Sequence, residues 1–274
     1  MTPIGRPFRS ASLYVLAILA ATRDVRGANV TAPRVGETAL VTSSASKSPH
    51  YELLAAADPT DASRMLACSM VLNTETGGFS VAAYLTTDGA RTWRRTLEVV
   101  QGRLTGDPAC AFGPDRTAFV AALGGDITVS GQDDSYTFVY SSQDGGESWK
   151  DPIRLSHTDR EFLTVDTTDK KYRGRVYLNA TGIVKAIDDE TVYGENMAID
   201  VAFFHSQDKG VSFEGPVRVL SSGGRYVLGM GNGVVLSDGL YAAIFGERLP
   251  HARVQLVPRV GFDVSASCGM FAPA

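Results

Sequence analysis

The sequence predicts an all-β chain of four-stranded sheets repeated about a common centre, the β-propeller arrangement. Three observations lead there. A turn anchored by an aspartate and closed by an aromatic ring recurs three times. A second kind of hairpin alternates with it, and after residue 27 no segment carries the apolar period of an amphipathic helix.

The recurring turn is carried by Ala83-Tyr-Leu-Thr-Thr-Asp-Gly-Ala-Arg-Thr-Trp93, Val139-Tyr-Ser-Ser-Gln-Asp-Gly-Gly-Glu-Ser-Trp149 and Phe203-Phe-His-Ser-Gln-Asp-Lys-Gly-Val-Ser-Phe213. Asp88, Asp144 and Asp208 lie 56 and 64 residues apart. An aspartate in a tight turn accepts hydrogen bonds from the N–H groups just after it. Gly146 and Gly210 supply the positive φ such a turn needs. Trp93, Trp149 and Phe213 then offer a ring large enough to wedge into a neighbouring unit.

Between these turns run apolar strand, polar turn, apolar strand: Leu53 to Met70, Ala109 to Leu123, Phe162 to Leu178 and Gly233 to Phe245. Their turns contain Asp58-Pro-Thr-Asp61, Gly113-Pro-Asp115, Asp166-Thr-Thr-Asp169 and Ser237-Asp-Gly239. Two hairpins make one four-stranded unit, and radial repetition of such units protects strand edges. A β-sandwich is the competing architecture, but evenly spaced hairpin pairs with one shared turn fit it less well. Residues 50–245 supply between three and four units at this spacing, so the expected propeller is an incomplete one.

Composition narrows the function. With 44% hydrophobic and 20% charged residues among 274, the chain can bury a core. A net charge of −4 argues against a general nucleic-acid binder. Three cysteines, without C-x-x-C spacing, suit neither a disulfide-dense scaffold nor a zinc site.

Residues 1–27 read as a secretory signal peptide: Arg6 and Arg9 precede the apolar run Ala11-Ser-Leu-Tyr-Val-Leu-Ala-Ile-Leu-Ala-Ala21. Cleavage near Ala20, Ala21 or Gly27 would leave 28–274 as one secreted or periplasmic unit. The run is shorter than the roughly 20 residues of a membrane span, and no later run approaches that length. An uncleaved N-terminal anchor is the alternative. Export makes a Cys68–Cys110 disulfide conceivable, with Cys268 left over; buried thiols are the equal alternative. Asn29 and Asn179 match the glycosylation sequon.

Ser142-Gln-Asp-Gly-Gly-Glu-Ser-Trp149 is similar to a full Asp-box, also called a BNR repeat. Thr86 to Trp93 departs in having Ala90 for the usual Gly, and Ser206 to Phe213 has Phe for Trp. The chain resembles the sialidase-like Asp-box propellers over residues 50–245. Gly106-Asp-Pro-Ala-Cys-Ala-Phe112 and Tyr172-Arg-Gly-Arg-Val-Tyr177 also resemble segments of secreted sialidase-like proteins. The resemblance implies boxes at the blade periphery, with Asp88, Asp144 and Asp208 architectural. It implies a glycan or glycoprotein as partner, and either recognition alone or exo-α-sialidase or related glycoside hydrolase activity. A sialidase of the usual kind needs three arginines on the substrate carboxylate, the first in an Arg-Ile-Pro-like motif. Here the nearest match is Pro33-Arg34-Val35, which departs from it, so recognition without catalysis is the expectation.

Site candidates come from the starts of the inner strands, which line a propeller's axis. Glu52, Asp107 and Glu161 are the candidate acids and bases. Tyr51, Arg160 and Asn232 are the candidate binding residues, joined by Arg225 because the segment after it, Tyr226 to Leu236, resembles a pocket-edge segment of sialidases. The competing reading assigns them to strand-end N–H groups and ordinary ion pairs. No cofactor is expected. Asp133-Asp134 and Asp188-Asp-Glu190 have oxygen donors of the type calcium takes, against the simpler reading of solvated loop charge. Gly229-x-Gly-x-Gly233 runs into a strand, so it is no dinucleotide fingerprint.

Overall fold

The computed structural model describes residues 37–42, 47–103, 105–127, 133–156, 159–186, 197–218, 226–248 and 255–262. The proposed signal segment, Asn29, Arg225, residues 188–190 and Cys268 lie outside them.

The fold is an all-β propeller. Blade 1 is β1 (His50–Asp58), β2 (Asp61–Leu72), β3 (Phe79–Thr86) and β4 (Arg94–Val99), antiparallel in that order. Blade 2 is β5 (Gly106–Phe112), β6 (Ala118–Ile127), β7 (Asp133–Ser142) and β8 (Ile153–Leu155). Blade 3 is β9 (Asp159–Val165), β10 (Val176–Ala186), β11 (Met197–Ser206) and β12 (Glu214–Arg218). In blade 4, β13 (Tyr226–Met230) and β14 (Val234–Val235) both pair with β15 (Tyr241–Arg248), so they form one interrupted inner strand; β16 (Gln255–Phe262) completes what is described of it. The inner strands follow one another: β1 packs on β5, β5 on β9, and β9 on β13 and β14.

Blades are held face to face by apolar residues at alternate strand positions. Leu66, Leu85, Val81 and Val99 of blade 1 meet Phe112, Ala118, Val120 and Ala122 of blade 2. Phe119, Ala121 and Val139 of blade 2 meet Leu163, Val176, Leu178 and Phe204 of blade 3. Alanines on the first two strands, such as Ala109, Ala111 and Ala121, allow close approach where blades converge. Between blades 3 and 4 the contact is aromatic. Tyr177 stacks on Tyr241 at 4.5 Å, and Phe203 lies 5.3 Å from Tyr241. Burial pushes both tyrosine hydroxyls up, and Tyr241 donates to Asn179 Oδ1 at 2.5 Å. The Asn179 amide nitrogen donates to Gly231 O at 3.1 Å. This asparagine is 1% exposed, so its sequon is not available in the folded protein.

The three aspartate turns connect the third and fourth strands of blades 1 to 3. In each, both carboxylate oxygens are used. Asp144 accepts from the N–H groups of Glu147 and Ser148 at 3.0 Å each, and from the Ser142 and Ser148 hydroxyls. Asp88 and Asp208 repeat this with Thr86 and Thr92, and with Ser206 and Ser212. Ala90 takes φ 69°, beside 88° and 80° for Gly146 and Gly210, so the turn keeps its shape despite the Cβ.

Two of the three closing rings, Trp149 and Phe213, reach the preceding blade, as the sequence suggests, and Trp93 does not. Trp149 packs between blades 1 and 2 and donates from Nε1 to Thr96 Oγ1 at 3.2 Å. Phe213 joins the core between blades 2 and 3. Trp93 packs against Ala67, Val71, Ala82 and Tyr84 of its own blade, with Val41 beside it. Arg64 of β2 adds a further clamp, donating to Gly145 O at 3.0 Å and pairing with Glu147.

Cys68 of blade 1 and Cys110 of blade 2 are unbonded thiols. The Cys110 thiol donates to Leu54 O at 3.8 Å, and burial first, then its neighbour Cys110, pushes the Cys68 thiol up.

Candidate functional site

The inner strands share one irregularity. The four residues 51–54 of β1 lie opposite three residues of β2, residues 106–109 opposite three of β6, and residues 159–162 opposite three of β10. Each is a β-bulge with one extra residue, and β13 has another between Val227 and Gly229. The left-handed residues at the first three are Glu52 (φ 51°), Asp107 (φ 47°) and Arg160 (φ 53°). None is glycine, and a side chain there costs about 1–3 kcal/mol. Three equivalent bulges therefore turn a charged side chain and its N–H out of the ladder at one end of adjacent blades.

Glu52 and Asp107 are neighbours in the same cavity, and each feels the other's charge. The Arg160 N–H donates to Asp107 Oδ2 at 3.3 Å. Asp107 thus satisfies one strand-end N–H, as the competing reading expects, and both Glu52 and Asp107 line a cavity. That cavity, about 120 Å³, is bounded by Glu52, Asp107, Arg160 and Glu161, with Leu54, Pro108 and Phe162 between them. Glu161 is two residues before Leu163, on the face that packs against blade 2. It is 3% exposed, and neither of its oxygens has a hydrogen-bond partner.

The electrostatics follow from crowding. Glu161 is held well above the usual carboxylate range, first by burial and then by the charges of Asp107, Asp159 and Glu52. Asp159 is pushed to about 6 by burial, then by the neighbouring Asp107 carboxyl; Arg160 opposes this. Glu52 is raised by burial, then by Asp107, with Arg160 again opposing. Carboxyl groups this close do not all ionise together, so the cluster keeps protons to higher pH than isolated carboxyls would.

Four of the sequence candidates therefore line one cavity: Glu52, Asp107, Arg160 and Glu161. Tyr51 and Asn232 do not. Tyr51 is 44% exposed and edge-on to Phe79 at 6.3 Å, and Leu53, two residues on, is also exposed. Asn232 is exposed in the break between β13 and β14. Its flanking carbonyls, Gly231 O and Gly233 O, accept from Asn179 and Thr164 of blade 3. Gly233 is required there, because a Cβ would collide with the Tyr241 hydroxyl. Asp159 was not singled out in the sequence; it sits one residue before Arg160, and only the bulge brings it to Asp107.

Other features do less. A cavity of about 940 Å³ lies over the β2–β3 hairpin, with mixed charges from Lys47, Arg95, Glu98 and Glu75. Asp133 and Asp134 are part of β7. Among the described residues, no group of three or more His, Cys, Asp or Glu side chains is arranged to hold a metal ion, and no helix is long and apolar enough to cross a membrane.

No family model matches the chain, and no curated protein matches it. Solved structures do. A protein of unknown function from Dyadobacter fermentans DSM 18053 superposes with TM-score 0.52 at 14% identity, over 74% of this chain and 63% of that one. An α-L-arabinanase from Penicillium chrysogenum, complexed with arabinobiose, gives 0.45 at 12% over 76% and 65%. Trypanosoma rangeli sialidase gives 0.46 at 11% over 76% and 36%. The chain thus spans less than two thirds of each of these proteins. At these identities the likeness is one of fold.

Proposed function

We propose that this protein is an exported, sialidase-like Asp-box propeller that recognises the end of a glycan at the cavity between the inner strands. One observation carries the reading: three equivalent, strained bulges gather Glu52, Asp107 and Arg160 around the buried carboxyl of Glu161. Strain of this kind concentrates at functional sites. Carboxylates and a guanidinium are the groups that hydrogen-bond sugar hydroxyls, and exposed Tyr51 and Leu53 offer apolar surface for a ring face. About 120 Å³ is small beside the roughly 300–1,000 Å³ of typical ligand pockets, so a terminal sugar is the natural occupant. Among the described residues Arg160 is the single arginine lining the cavity, which favours recognition over the three-arginine sialidase clamp.

A second reading, hydrolysis of a terminal sugar, is favoured by the raised carboxyls. Glu52 stays protonated to higher pH than an ordinary glutamate and is exposed, as a general acid must be. Asp107 stands beside it as the complementary carboxylate.

Glycan binding and turnover of fluorogenic sialosides and arabinofuranosides, measured on the purified protein, separate the two. Binding without turnover, weakened at least tenfold by Arg160→Ala or Glu161→Ala, supports recognition. Turnover lost in Glu52→Gln supports hydrolysis. Neither binding nor turnover by a folded protein defeats both.

A further inference from the structure

We infer that the axial pocket takes a sugar carrying a free ammonium group, a 2-amino-2-deoxyhexose end, in preference to an acidic or N-acetylated one. The inference rests on the glycan reading of this pocket and specifies the charge of the sugar. Three carboxyl groups, Glu52 and Asp107 from the inner strands of blades 1 and 2 and Glu161 from blade 3, line the cavity with one guanidinium-bearing residue, Arg160, and Asp159 adds a fourth acid next to it in sequence. Arg160 is exposed at the mouth, whereas Glu161 is buried at the wall with both oxygens unpartnered. A buried acceptor without a donor is a standing cost to the fold. An ammonium group brings three donors and one positive charge, and so meets both deficits at once.

The alternatives fit less well. A carboxylate-bearing sugar would add a negative charge to a site already crowded with them. An N-acetyl group removes the charge and adds bulk to a cavity of about 120 Å³. A neutral hydroxylated sugar can donate to Glu161 but leaves the local charge uncompensated. In the empty pocket the protons that the crowded acids keep to higher pH than free carboxyls supply that compensation, so an incoming ammonium displaces them. Binding should therefore release protons and tighten as pH rises from about 5 to 7.

Titration calorimetry on the full chain at pH 7 tests this, with glucosamine, N-acetylglucosamine, N-acetylneuraminic acid and methylammonium chloride as probes. Glucosamine should bind at least tenfold tighter than each of the others, with a heat that depends on the buffer's ionisation enthalpy. Glu161→Gln should reduce that preference at least tenfold; Glu52→Gln serves as the second variant if Glu161→Gln does not fold. Equal or tighter binding of N-acetylglucosamine or N-acetylneuraminic acid overturns the inference and leaves the glycan reading standing. Equal binding of methylammonium overturns both, leaving a simple cation site. Absence of binding by all four probes also overturns the inference.

Discussion

The two ends of each blade use the same device for opposite purposes. Antiparallel register puts the start of the first strand and the turn between the third and fourth at opposite ends: Tyr51 lies level with Met70, Val81 and Val99, and Ala57 with Met65 and Thr86. Both ends carry left-handed residues and acids. At the turn end the left-handed residues include Gly146 and Gly210, and both oxygens of Asp88, Asp144 and Asp208 are hydrogen-bonded. Thr92 and Thr86 hold Asp88 down to about 2. Burial alone would raise Asp144 and Asp208, but the serine hydroxyls and turn N–H groups outweigh it and hold both low. At the axial end the left-handed residues are charged, and the acids face one another and are pushed up. A saturated acid stabilises a fold; an unsaturated one stores interaction for a ligand.

Breaking the turn end should give the largest effect. Asp144→Ala leaves four donors without their acceptor and loosens the docking of Trp149 on blade 1, and should cost about 2–4 kcal/mol in urea unfolding. Loss within a few tenths of a kcal/mol would mean the turn is not a structural anchor. At the axial end the sign reverses. Glu161→Leu should stabilise the protein by about 1–2 kcal/mol, because it removes an unpartnered buried carboxyl, while ligand binding is lost. Smaller still, Ala90→Gly should stabilise by about 0.5–1 kcal/mol by relieving the left-handed alanine. In contrast, Gly210→Ala should destabilise, since its Cβ would lie 2.7 Å from Phe119.

The pH dependence separates the two ends without a large change in stability. Asp159 has a folded value of about 6, above the roughly 3.9 of an unfolded aspartate, so the folded state holds more protons between these values. Its contribution therefore falls as pH rises from about 4 to 6, and Asp159→Asn should flatten the unfolding midpoint over that window. Asp88 has the opposite sign. Its contribution is present above about pH 4 and disappears as pH falls toward 2, which Asp88→Asn should remove.

Much of the blade architecture was legible because its signals are local. Asp144, its hydroxyl partners Ser142 and Ser148, and Gly146 lie within seven residues, so spacing alone describes the turn. Alternation in β2 and β9 is equally local. Glu52, Asp107, Arg160 and Glu161 were legible as candidates because polar residues recur at the start of the inner strands. Their strained backbone was not, since nothing in Glu52 or Arg160 as residue types favours φ near 50°. Nor was the place of Asp159, which meets Asp107 across 52 positions of chain.

The chain alone determined an all-β repeat with aspartate turns and rings on a fixed spacing, because turn chemistry and strand period act over a few residues. Tertiary structure decided that bulges in three different blades place Glu52, Asp107 and Arg160 side by side, and that Glu161 is buried without a partner. The charge state of the pocket depends on contacts between segments some 50 residues apart, and such contacts exist only once neighbouring blades have packed.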